Sequence, residues 1–112
     1  MTIGEVMDEL RTLPRNTTVA YGFGNPHSYR GYYNQCAFEP LTDTTVGEML
    51  DACERAISGE VFEGFKGGDY YTYNAYTTAY LAAWGDTGDE ISLALVAWML
   101  RVPFVHPAWR TE

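Results

Sequence analysis

The residues best suited to recognising a ligand lie in the run Ser28-Tyr29-Arg30-Gly31-Tyr32. A guanidinium held against tyrosine rings can fork onto a phosphate while the rings stack on a base. Tyr29, Arg30 and Gly31 are therefore candidate ligand-binding residues. The competing expectation is an ordinary surface pair between Arg30 and a carboxylate such as Glu39. The second candidate is Lys66-Gly67-Gly68-Asp69, where the open amides of a glycine turn can meet an anion. It is not a Walker loop, because no Gly-Lys-Ser/Thr follows a spaced glycine. Gly22-Phe23-Gly24 also reads as a glycine loop, but it lacks the third glycine and the opening helix of a dinucleotide fingerprint. A glycine turn serves a hairpin more often than a ligand.

Catalytic sets are poor. The two histidines, His27 and His106, lie in unrelated contexts, and His27-Ser28 are neighbours that form no triad. The acids are scattered over surface positions, and Asp69 is the one to watch. Cys36 and Cys53 alone cannot build a zinc site, and with no export signal they read as reduced, buried thiols. Neither an enzyme, a cofactor nor a metal is expected.

The elements that must position these residues repeat themselves. Thr2-Ile3-Gly4-Glu5-Val6-Met7-Asp8 returns as Thr45-Val46-Gly47-Glu48-Met49-Leu50-Asp51. Each copy leads towards glycines and then tyrosines, so each half reads helix, strand, glycine loop, aromatic strand. Two such units would pack as a pair around a crevice lined by the glycine loops, Arg30 and Lys66. Convergent helix capping explains the same match without duplication.

Thr2 and Glu5 form a capping box for a helix over Thr2–Leu13, stopped at Pro14. Thr17–Phe23 reads as a strand, with Gly22, Gly24 and Pro26 breaking it into a loop. Gln35–Phe38 reads as a second strand ended by Pro40. Thr45 caps a helix to about Ile57, and Val61–Phe65 is a strand before the Lys66 turn. Tyr70–Tyr73 and Ala79–Trp84 read as strands joined by a turn near Asn74. Asp89 caps a third helix that buries Ile91, Leu95, Trp98 and Met99, and Pro103 ends it. The sum is an α+β fold: an antiparallel sheet covered by two or three helices, with an internal pseudo-repeat.

Bulk properties bound the rest. A chain of 112 residues is expected to be a single domain, residues 1–112, with a modest core. The net charge of −8 argues against gripping nucleic-acid phosphates. No run approaches the ~18 apolar residues of a membrane span, so neither nucleic acid nor membrane is an expected partner. Nine tyrosines suit either an interface or a half-buried sheet face. The aromatic tail Phe104–Arg110 suits docking on a neighbouring subunit.

Taken in order, Ser28–Tyr32, the Thr45–Leu50 helix start and Phe62-Glu63-Gly64-Phe65-Lys66-Gly67-Gly68-Asp69-Tyr70 resemble small phage and prophage proteins of the Thoeris anti-defence type, the nucleotide sponges. The resemblance spans about Tyr21 to Gly88 and rests on short motifs. It implies a homo-oligomer in the cytoplasm of an infected bacterial host that sequesters a cyclic ADP-ribose-type signal without degrading it. It also implies that Arg30 contacts phosphate and that Phe65, Lys66, Gly67 and Asp69 belong to the pocket strand and its turn. The family's asparagine has no matched position in this chain, and Asn74 is taken as the candidate for it. The tyrosine-rich stretch Tyr70–Thr78 departs from the family pattern, and the C-terminal helix and tail are not covered.

Two further functions remain open at this level. One is a protein-binding inhibitor of a host defence complex, anti-CRISPR-like, working through an acidic, tyrosine-rich surface. The other is an accessory phage protein with a structural role.

Overall fold

The computed structural model describes residues 1–64, 67 and 69–101. The predicted site residues Phe65 and Lys66, the helix end at Pro103 and the aromatic tail lie outside the described residues. The fold is α+β, with three helices and a four-stranded sheet among the described residues. Helix α1 (Ile3–Leu10) leads into a long hairpin, β1 (Thr18–Ser28) and β2 (Cys36–Thr45). Helix α2 (Val46–Ala56) leads into a short one, β3 (Phe62–Glu63) and β4 (Tyr70–Tyr71). Strands β5 (Ala79–Leu81) and β6 (Asp89–Glu90) precede α3 (Leu93–Arg101). The large sheet runs β1-β2-β5-β6, antiparallel except for the β2–β5 pair, while β3 and β4 pair only with each other.

Both Thr-x-Gly-Glu segments open helices as their pattern predicts. Thr2 accepts the Glu5 amide and Glu5 returns a carboxylate to the Thr2 amide, a complete capping box. Thr45 accepts the Glu48 amide at the start of α2. That exchange with the Thr2 backbone and hydroxyl holds the Glu5 carboxyl below its ordinary range. A carboxyl depressed in the folded state contributes stability above its unfolded pKa and loses it as pH falls through the folded value. Glu5→Gln should therefore cost stability at neutral pH and narrow its gap from wild type in acid, read from urea midpoints at both ends.

The long hairpin corrects the sequence reading at two points. Gly22 and Gly24 do not open a loop; β1 runs through both and through Pro26 to Ser28. An alanine Cβ at Gly22 would stand 2.7 Å from Thr44 Cγ2 and 2.8 Å from Met49 Sδ, so this glycine lets α2 press onto the sheet. Pro26 is admitted by a register shift between Gly24 and Pro26, with Asn25 at φ 46° as the extra residue. Nor does Pro40 end β2. The β5 pairing covers only Cys36–Phe38, so Pro40 has one strand neighbour and its missing N–H breaks no ladder.

The core follows the predicted helix faces. Ile3, Val6, Met7 and Leu10 of α1 and Val46, Met49, Leu50 and Cys53 of α2 are buried together with Phe23 and Phe38. Asp89 is corrected: it belongs to β6, paired with Leu81. Ser92 caps α3 instead, its hydroxyl accepting the Leu95 amide at 3.1 Å. The buried face of α3 is Val96 and Met99, whereas Trp98 is half-exposed and stacks on Tyr21 at 5.7 Å. Among the described residues no helix is long and apolar enough to cross a membrane.

The repeat holds at the level of helix followed by hairpin. It goes no further, since β1 and β2 join the large sheet while β3 and β4 form their own. The paired glycine loops expected around a crevice do not form, because Gly22-Phe23-Gly24 is strand.

Candidate functional site

The connection between β1 and β2, residues 29–35, carries the first predicted cluster. Tyr29 is buried rather than presented, and its ring lies flat on Tyr80, with centroids 4.0 Å apart and planes at 7°. Its hydroxyl donates to the Gly88 carbonyl at 2.8 Å and accepts the Gly88 amide at 3.1 Å. Arg30 donates from Nη1 to the Gly85 carbonyl at 3.0 Å. The two side chains thereby grip both ends of the 85–88 loop. Gly31 is needed by the same packing, since a Cβ there would stand 2.6 Å from the Tyr29 ring. Glu39, the carboxylate considered for Arg30, accepts the Asn25 side-chain amide at 3.0 Å.

Two exposed rings belong to residues within two positions of the partners in the Arg30–Gly85 hydrogen bond. Tyr32, two residues after Arg30, is 64% exposed, and Trp84, one residue before Gly85, is 51% exposed. Tyr32 leans on Tyr29 at 6.4 Å. Trp84 meets the His27 ring edge-on at 5.5 Å, and His27 Nε2 lies 2.9 Å from the Ala82 carbonyl oxygen. The result is a buried Tyr29 under a partly buried Tyr80, with the exposed Tyr32 leaning on it and the exposed Arg30 and Trp84 joined through the neighbouring 85–88 loop. Flat rings beside a cation suit a planar, anionic ligand. Burial, with Glu90 as the lesser cause, raises the Tyr80 hydroxyl above its ordinary range.

The second predicted cluster is adjacent. Gly67 and Asp69 belong to the β3–β4 turn, where the Gly64 amide donates to the Asp69 carbonyl at 3.0 Å and the Gly67 amide to the Gly64 carbonyl at 2.8 Å. Gly67 has φ 76°, a conformation that glycine adopts without strain. Tyr33 joins this hairpin to the Arg30 connection. Its ring meets Tyr71 edge-on at 6.4 Å, a Cβ on Gly64 would touch it at 3.0 Å, and its carbonyl accepts the Tyr73 hydroxyl at 3.0 Å. Burial pushes that Tyr73 hydroxyl up to about 12.

Asn74 is used locally. Its Oδ1 accepts the Tyr76 amide at 2.8 Å and its own amide donates to Thr77 Oγ1 at 3.0 Å, closing the turn predicted there. Cys36 and Cys53 are buried free thiols, and burial pushes the Cys53 thiol up to about 12, so neither has nucleophilic character at neutral pH. Among the described residues no group of three or more His, Cys, Asp or Glu side chains is placed to hold a metal.

Sequence reasoning missed Tyr33, Tyr80 and Trp84. Part of the signal was present for Tyr80, which alternates with Ala82, although β5 stops at Leu81 and Trp84 lies in the turn that follows, short of the strand expected over Ala79–Trp84. In the structure Tyr80 and Ala82 do pack with Tyr29. No protein-family model, curated protein or solved structure matches this chain.

Proposed function

We propose that the chain binds a cyclic nucleotide of the cyclic ADP-ribose type and sequesters it without turning it over, acting as a phage-encoded inhibitor of a bacterial immune signal. In this reading a base stacks on Tyr32 or Trp84, and Arg30 meets a phosphate while its neighbours hold the loop. The reading rests on one observation, two exposed rings within two residues of the partners in the Arg30–Gly85 hydrogen bond. The resemblance of the Ser28–Tyr32 and Phe62–Tyr70 segments to nucleotide sponges supports it. Net charge of −8 opposes an anionic ligand at long range, so the local cation must outweigh it at contact. In a homo-oligomer a neighbouring copy can add further arginines.

A thermal-shift screen with cyclic ADP-ribose isomers and cyclic dinucleotides tests the proposal. A ligand at 100 times its dissociation constant stabilises by about 2.7 kcal/mol, several degrees for a domain of this size. Wild type should shift, whereas Arg30→Ala and the double variant Tyr32→Ala/Trp84→Ala should lose the shift while staying folded. No shift with any of these ligands removes the nucleotide reading. The protein-binding alternative then gains, favoured by Tyr70 and Tyr76, which are 67% and 86% exposed on an acidic chain.

A further inference from the structure

Tyr76 is the most exposed large hydrophobic side chain among the described residues, yet its backbone is tightly held. Asn74 and Thr77 close the turn with three hydrogen bonds: Asn74 Oδ1 accepts the Tyr76 amide, Thr77 Oγ1 accepts the Asn74 amide, and the Thr77 amide donates to the Asn74 carbonyl. Two more fasten the turn to the start of α1. The Gly4 amide donates to the Ala75 carbonyl and the Ile3 amide to the Thr77 carbonyl, both at 2.9 Å. Gly4 admits this contact because a Cβ there would press on Ala75 at 3.1 Å. A large aromatic ring on a fixed backbone gives up little entropy on binding, as paratope tyrosines do.

Beside it lies a cleft of about 370 Å³ between α1, the end of α2 and this turn. Met7, Ile57 and Ala75 give it apolar lining, and Glu5, Asp8 and Arg11 give it a charged rim. The rim carries two acids to one base. Asp8 and Arg11 approach only to 3.6 Å and stay more than half exposed, so Asp8 is free to exchange that loose contact for a better one. A second copy of the chain would bring a further −8 to this rim and be repelled, whereas a basic partner would be steered to it.

We infer that the Tyr76 turn and the α1 cleft form a protein-docking site for a basic segment that inserts an apolar side chain between Met7 and Ile57 and sets Lys or Arg against Asp8. Tyr76 is the aromatic anchor at its rim. The site is separate from the Arg30 shelf, and its success or failure is independent of the nucleotide reading.

Two synthetic peptides of equal length test it against the full chain, one alternating leucine with lysine and the other leucine with glutamate. The lysine peptide should move the NMR signals of the Met7 and Ile57 methyls and the Tyr76 ring, and the glutamate peptide should not. Tyr76→Ala and Asp8→Lys should each weaken binding roughly tenfold or more without moving the thermal midpoint. Equal response to both peptides, response to neither, or full binding by Tyr76→Ala would overturn the inference. So would a homodimer that Tyr76→Ala dissociates, because the cleft would then belong to a second copy.

Discussion

Phe38→Ala is expected to cost about 4 kcal/mol, within the range for emptying a buried aromatic site. Phe38 is fully buried and lies where β2 has a neighbour on both sides, Pro26 of β1 and Leu81 of β5. Its ring packs on Phe23 with centroids 4.9 Å apart, and its carbonyl accepts the Ala82 amide at 3.1 Å. The cavity left by alanine cannot collapse easily, because the strands around it are fixed by their own ladders. A domain with ~5–15 kcal/mol to lose would be left marginal, with a midpoint lower by on the order of 15 °C. Phe38→Leu keeps most of the volume and should cost about 1–2 kcal/mol. Urea titration of both variants checks the ordering. A loss below about 1 kcal/mol for alanine would show that Phe38 does not occupy the core.

Gly88→Ala is the second large effect, and it links stability to the candidate site. A Cβ at this position would stand 2.0 Å from the Leu81 carbonyl oxygen and 3.1 Å from Ala82 Cβ. The obstacle is backbone in a strand paired with β6, so the 85–88 loop must move instead. Moving it breaks both hydrogen bonds between Gly88 and the Tyr29 hydroxyl and pulls on the Arg30–Gly85 contact. The expected cost is about 2 kcal/mol, a clash offset in part because the loop is exposed and water can replace its partners. Tyr29→Phe separates the two causes. It keeps the stack on Tyr80, removes only the hydroxyl, and should cost about 1 kcal/mol. If the nucleotide reading is right, Gly88→Ala also abolishes ligand-induced stabilisation, since Trp84 and Arg30 both border the displaced loop. A Gly88→Ala protein with wild-type stability would mean that the loop has room the structure does not show.

The pieces legible in the sequence were those governed by neighbours along the chain. Capping by Thr2 and Thr45 depends on an amide three residues ahead. The buried faces of α1 and α2 depend on helical spacing, and the Asn74 turn depends on a side chain reaching two residues on. The Tyr29-Arg30-Gly31 run was visible as a cluster, yet its use was not. Nothing local says that Tyr29 faces Gly88, 59 positions away, or that Arg30 meets Gly85, 55 away.

Where local rules failed, a distant contact had overridden them. Gly22 and Pro40 look like breakers, but Gly22 is required by the approach of α2, and Pro40 is permitted because β5 stops at Phe38. Asp89 looks like a helix cap, but pairing with Leu81 claims it for β6 and leaves the capping to Ser92. By itself the sequence determined the α+β class, the two capped helices, the hydrophobic faces and the presence of an arginine among tyrosines. Only the tertiary structure decided which of those tyrosines are buried supports and which are exposed surfaces. Burial depends on what packs from elsewhere in the chain: Tyr80 covers Tyr29, while Tyr32 and Trp84 keep half or more of their surface exposed.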